Sequence, residues 1–187
     1  MAEPFAYLRQ DQPGPEVLAL LGVLPKRWGR MDRISRLAVV EVGRVLRDSG
    51  LLREDPEGLR AAGIGGLIGA GRFGSLATDL EFAATLAGGV QTASPLLFGY
   101  TLPNIALAEA ASHFGLTGPV YSLFSGVLAE AEAEARRWLA EAPAPDFMVA
   151  GVIDVVPVEA APHSGGVVID AEIVAVNFTI VRPECPI

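Results

Sequence analysis

The stretch GLIGAGRFGSL, Gly66 to Leu76, brings this sequence nearest to a familiar chemistry. Gly69, Gly71 and Gly74 are spaced as G-x-G-x-x-G between an apolar run and an amphipathic segment. In that pattern a strand-to-helix turn cradles a pyrophosphate on backbone amides. The same chemistry needs an acidic residue about 20 positions further on to hold the ribose hydroxyls. The sequence there is AGGVQTASP, without an acid, and the motif follows a first strand and helix instead of opening the fold. The glycines are therefore read as permitting a tight turn, with no bound cofactor expected.

Other chemistry-bearing residues are scattered. Ser122 and Ser125 lie in VYSLFSGV, but a serine nucleophile needs a base and an oriented third group, and LFSGV is not a G-x-S-x-G elbow. His113 falls at a helix end in ASHFG and His163 in a loop, so neither reads as that base. Cys185 sits in the terminal RPECPI and reads as non-catalytic. One cysteine and two distant histidines give no ligand spacing, so no metal is expected. Glu130, Glu132 and Glu134 stand at i, i+2 spacing, which scatters them around a solvated helix. The remaining cluster is basic: Lys26, Arg27, Arg30, Arg33 and Arg36 crowd into eleven residues.

The elements that must position these groups alternate. PFAYLRQ reads as a short strand. Residues 32–49 read as a helix capped by Asp32 and closed by Gly50, with Ile34, Leu37, Ala38, Val42, Val45 and Leu46 on one face and Arg33, Arg36, Arg44 and Arg47 on another. The apolar run 63–70 predicts a buried strand. Ser75 is placed to cap a second helix carrying Leu76, Leu80, Ala83 and Ala87, ended by Gly88 and Gly89. SPLLFGYTLPN is a loop whose Pro103 suits the first turn of a helix running to Gly115. GPVYSLF reads as a strand, GVLAEAEAEARRWLA as a helix, and FMVAGVIDVV and VVIDAEIVAVNFTIV as strand material. The alternation implies a mostly parallel sheet covered by helices on both faces.

Composition sets outer limits. The chain has 187 residues, 51% of them hydrophobic, and a formal net charge of −8, enough for one domain with a single core. The lone cysteine fits a reducing compartment, and neither a basic leader nor a run of about 18 apolar residues occurs. The sequence reads as cytoplasmic, with no membrane association. Residues 1–60 hold ten of the 14 lysines and arginines against nine acids, net +1, leaving −9 for the rest. An acidic chain repels phosphates, so nucleic-acid binding is not expected.

Four segments occur in an order that resembles the N-terminal half of a β-ketoacyl synthase: RMDRISRLAVVEVGRVLRDSGL, GLIGAGRFGSLATDLEFAATL, ASPLLFGYTLPNIALAEAASHFGLTGPVYSL and DFMVAGVIDVV. SGGVVIDAEIVAVNF resembles the strand that closes the same half. The resemblance covers most of residues 30–154 and implies an α/β fold: one half of the thiolase-like architecture, α/β/α layers around a five-stranded mixed sheet, with residues 1–187 as a single ketosynthase N-terminal-like domain. In that family the Gly-Pro strand leads to a nucleophilic cysteine at the next helix start, which takes an acyl chain from a carrier thioester. No cysteine lies between Gly118 and Ala135, and the matching position falls near Ser125 to Val127. The family's two basic catalytic residues come from its C-terminal half, which this sequence does not reach.

The resemblance therefore implies a truncated, catalytically inactive subunit, like the chain-length factors that pair with an active ketosynthase in type II fatty-acid or polyketide biosynthesis. The family docks an acidic acyl carrier protein on basic residues just before the Met-Asp of this helix. Lys26 and Arg30 match those positions, Arg27 lies between them, and Gly29 stands where a further basic residue can occur. Such a patch on an acidic protein also steers acidic partners by itself. A homodimer or heterodimer is expected through PLLFGYTLPNIAL, with Phe98, Tyr100, Leu102 and Ile105 as anchors. Two other readings stay open: an acyltransferase or decarboxylase using a site shared with a partner, and a carrier-docking scaffold.

Overall fold

The computed structural model describes residues 5–161, 165–169 and 171–183. His163 and Cys185 lie outside the described residues. At the centre is a five-stranded sheet in the order β4-β3-β5-β7-β6. Its strands are β3 (Gly65–Ala70), β4 (Val120–Leu123), β5 (Phe147–Pro157), β6 (Val167–Ile169) and β7 (Glu172–Val181), and a separate hairpin joins β1 (Leu52–Asp55) to β2 (Gly58–Ala61). β3 runs parallel to β4 and β5, while β7 is antiparallel to both β5 and β6. The sheet is therefore evenly mixed, a correction to the mostly parallel sheet expected from alternation. Only residues 170 and 171 separate β6 from β7, and so short a connection can join antiparallel strands but leaves no chain for the crossover that a parallel neighbour requires. Ala171, with φ of 66°, turns β6 into β7 and splits the second strand-like segment.

Alternation along the strands sorts the core. Leu67, Phe147, Val149 and Ile153 pack on one side with α2 (Arg33–Asp48) and α5 (Ile105–Phe114), and Ile68, Ala70, Met148 and Ala150 pack on the other against Ala131 and Ala135 of α6 (Leu128–Ala140). Each large buried side chain contributes about 1.5–3 kcal/mol relative to exposure. α2 begins as its sequence requires: the Asp32 carboxylate accepts the Ser35 amide at 3.0 Å, and Gly50 follows the end at φ 67°. Gly43 lets α5 approach closely, because a Cβ there would stand 2.6 Å from Cζ of Phe114.

Several local expectations are corrected. Residues 6–8 form a 3-10 turn that tucks Tyr7 and Leu8 into the core, not a strand. Arg36, expected on a face apart from the apolar one, is buried. Its guanidinium donates to the carbonyls of Trp28 (3.2 Å), Leu8 (3.0 Å) and Gln10 (3.2 Å). The segment before α2 folds back over that helix, and its carbonyls need a buried donor. The β1–β2 hairpin and α1 (Pro15–Leu21) were not anticipated; the hairpin strands carry alternating charge and little apolar pattern. Ser75 does stand at the start of α3 (Leu76–Thr85), but it makes no side-chain cap. Its hydroxyl donates instead to the Thr101 carbonyl at 2.8 Å. α3 buries only Thr78 well and leaves Leu80 exposed.

Candidate functional site

The first candidate is the glycine turn between β3 and α3. Gly69 belongs to the buried strand, and Gly71 abuts the next strand so closely that a Cβ would lie 2.8 Å from the Ile153 carbonyl. The turn amides that would face a phosphate are already occupied. The carboxylate of Asp154 accepts from the backbone N–H of Arg72 (3.1 and 3.0 Å) and of Phe73 (3.0 Å). Burial pushes this carboxyl above its ordinary range, and the amide donors of Arg72, Phe73 and Gly74 oppose that shift without cancelling it. The loop thus carries an internal anion. Asp154 escaped the sequence reading because it lies 82 residues from the turn, although an acid inside FMVAGVIDVV was a visible signal.

The second candidate is the junction of β4 and α6, where Phe124, Ser125 and Gly126 form the turn and Val127 is the N-cap. Gly126 has φ of 65°, and the aliphatic part of Arg72 packs across it. No thiol is present here. Ser125 accepts the Val127 amide on its Oγ at 3.3 Å, and Ser122 donates its hydroxyl to the Pro103 carbonyl at 3.1 Å. His113 is bound to the Leu21 carbonyl at 3.2 Å, and burial lowers its pKa from the ordinary 6.5. Phe124 and Val127 face solvent, so the junction presents apolar side chains. On α6, Glu132 pairs with Arg136 at 3.2 Å, and Arg137 pairs with Glu141 at 2.7 Å and with Glu134. Its outer side is thus ionic, and Glu130 is exposed. Among the described residues no group of three or more His, Cys, Asp or Glu is arranged to hold a metal ion.

The third candidate joins two segments that are far apart in sequence. Residues 25–31 form a short loop held by buried Trp28, whose indole N–H donates to the Gln10 carbonyl at 2.9 Å. Lys26 and Arg30 project from it, exposed and without an ion pair among the described residues. Arg27 is different: it reaches Glu109, with N–O distances of 3.1 and 3.2 Å. Glu109, on α5, is only 5% exposed and also accepts the Tyr100 hydroxyl at 3.2 Å. Burial and then the neighbouring Glu109 charge push the Tyr100 hydroxyl up to about 12. Tyr100 therefore anchors the 97–102 segment from beneath, and Ile105 is half-buried against the same core. Phe98 and Leu102 stand out at 63% and 57% exposure. The Phe98 ring lies 5.5 Å from that of Phe82. Glu109 was missed, although an acid between Ala106 and Ala110 on an otherwise apolar helix face marks a buried ion pair.

The profile of the β-ketoacyl synthase N-terminal domain matches residues 18–126, more than half of the chain, and spans the loop, the glycine turn and the β4–α6 junction. The chain belongs to the β-ketoacyl synthase family. Nodulation protein E of Rhizobium sp. (strain N33) is 29% identical to this ketosynthase-like chain over 100 residues, covering 54% of it and 24% of the relative. The tetracenomycin polyketide synthase ketoacyl synthase alpha subunit of Streptomyces glaucescens is 32% identical over 111 residues, covering 56% of this chain and 25% of the relative. The chain thus spans about a quarter of the length of these curated relatives. A solved structure of the ishigamide ketosynthase/chain length factor superposes with a TM-score of 0.55 at 22% identity, covering 76% of this chain and 39% of the other. The mixed five-stranded sheet between helices is the thiolase-like half that the resemblance implies. No helix among the described residues is long and apolar enough to cross a membrane.

Proposed function

We propose that this ketosynthase-like chain is a catalytically silent partner subunit, similar in role to a chain-length factor, that associates with an active ketosynthase in polyketide or fatty-acid assembly. One observation carries the reading: the start of α6, near which the family resemblance places a nucleophilic cysteine, offers Ser125, Gly126 and Val127, and Ser122 and Ser125 hold backbone groups. A helix N-terminus activates a thiolate by stabilising its charge, and a valine gives it nothing to activate. The apolar side chains of Phe98, Leu102 and Phe124 support association with another subunit, with Tyr100 and Ile105 fixing the segment from below. Lys26 and Arg30 support an acidic acyl carrier protein as the second partner, with Arg27 held back by Glu109.

Light scattering of the purified protein, alone and mixed with a ketosynthase and an acyl carrier protein encoded beside it, tests this directly. A stable complex with the ketosynthase is the expected result. A homodimer or monomer that ignores the ketosynthase overturns the partner-subunit reading. Intact-mass analysis after incubation with acyl-carrier thioester should show no covalent acyl group, and an acyl adduct on Ser122 or Ser125 would overturn the silent assignment.

A further inference from the structure

Two surfaces assigned separately from sequence, the basic loop and the apolar segment, meet at one buried carboxylate. Glu109 is 5% exposed and holds two partners: the Arg27 guanidinium, 62% exposed, at 3.1 Å, and the buried Tyr100 hydroxyl at 3.2 Å. Beyond Tyr100, the segment that presents Phe98 and Leu102 is secured at the Thr101 carbonyl by Ser75. Its local backbone bonds, Tyr100 N to Leu97 O at 2.8 Å and Thr101 N to Phe98 O at 3.2 Å, belong to single turns. Such turns persist only while something beneath holds them.

We propose that Glu109 couples occupancy of the basic loop to the order of the apolar face. An acidic partner engaging Arg27 must take it from Glu109. The carboxylate is then left buried with one hydroxyl donor and no cation, which is costly in a low-dielectric site. The strain is relieved by release of Tyr100 from Glu109 and loosening of residues 98–103, which present Phe98 and Leu102 to solvent. Conversely, a subunit clamped on Phe98 and Leu102 holds Tyr100 in place, keeps Glu109 buried and withholds Arg27. The two surfaces then oppose each other with equal and reciprocal strength, as linkage demands. Lys26 and Arg30, with no such tether, give an acidic partner its initial purchase without this cost. Glu109 and Arg27 are positioning residues here, and the coupling rests on the carrier-docking reading above.

Hydrogen exchange of the amides of residues 98–102 provides the test, and its first arm needs no partner. Arg27→Gln should accelerate exchange there about tenfold, within the range of local opening. Glu109→Gln keeps an oxygen acceptor for Tyr100 and needs no cation. Alone and combined with Arg27→Gln, it should restore protection close to the parent. Lys26→Gln, which removes a charge of the same loop without touching Glu109, should leave exchange unchanged. In the second arm, holo acyl carrier protein at low salt should accelerate exchange at 98–102 in the parent and not in Glu109→Gln. Should Arg27→Gln fail to fold, Glu109→Gln still decides the matter through its native protection and its lack of response. Exchange within twofold of the parent in a folded Arg27→Gln, or acceleration that persists in the double variant, overturns the coupling. A carrier protein that binds none of the forms defeats the docking reading instead and leaves the partner-free arm to stand or fall by itself.

Discussion

Replacing Asp154 with alanine puts the reading of the glycine turn at risk. The carboxylate accepts the amides of Arg72 and Phe73 at 3.0–3.1 Å. A hydrogen bond to a charged acceptor contributes about 1.5–3 kcal/mol, so the gross loss is about 3–6 kcal/mol. Against this, the raised pKa of Asp154 shows that burial already penalises its ionised form, and removing the carboxylate recovers part of that penalty. A net loss of about 2–4 kcal/mol remains. Asp154→Asn keeps one carbonyl acceptor and should lose about half as much. Urea unfolding followed by far-UV circular dichroism measures both. The alanine variant also vacates the amide cradle, so inorganic phosphate should raise its midpoint while leaving the parent unaffected. If both variants stay within about 0.5 kcal/mol of the parent, the scale of an indifferent surface substitution, the carboxylate does not organise this turn.

Four further outcomes are expected. Charge reversal of Lys26 and Arg30 together should leave urea stability within about 0.5 kcal/mol, since neither is buried, yet weaken acyl carrier protein binding at low salt by at least tenfold in titration calorimetry. Phe98→Asp combined with Leu102→Asp should abolish association with a ketosynthase in light scattering while the monomer keeps its circular dichroism spectrum. Arg36→Met should cost about 3 kcal/mol in urea unfolding, because the carbonyls of Leu8, Gln10 and Trp28 lose their donor. His113 has its folded pKa below the ordinary 6.5, so the unfolded chain binds more protons between the two values. Its contribution is full above 6.5 and is lost as pH falls toward the folded value. His113→Gln should flatten that acid-side slope in denaturation midpoints measured across pH 5–7.

Much of the architecture was legible because it depends on local pattern. The α2 face from Ile34 to Leu46, the cap at Asp32, the buried run ending at Ala70 and the α6 helix all follow from periodicity and end signals. The family followed from four ordered motifs. Strand direction was not legible, because β-branched content is the same in parallel and antiparallel neighbours. Helical spacing on α3 also misled: Leu80 occupies an apolar position but stays half exposed.

Side-chain roles set by distant partners divide along the same line. Sequence alone determined that Gly71 and Gly74 lie in a tight turn after a buried strand, that Lys26, Arg27 and Arg30 stand together in one basic loop, and that no cysteine lies between Gly118 and Ala135. Only the tertiary structure decided that Asp154 fills the turn, that Arg36 is buried, and that Arg27 and Tyr100 share Glu109. The physical reason is that periodicity reports which face of an element is apolar, whereas a charged group's role depends on which opposite partner the fold carries to within hydrogen-bond distance. Here those partners lie 82 residues apart for Arg72 and Asp154 and likewise for Arg27 and Glu109.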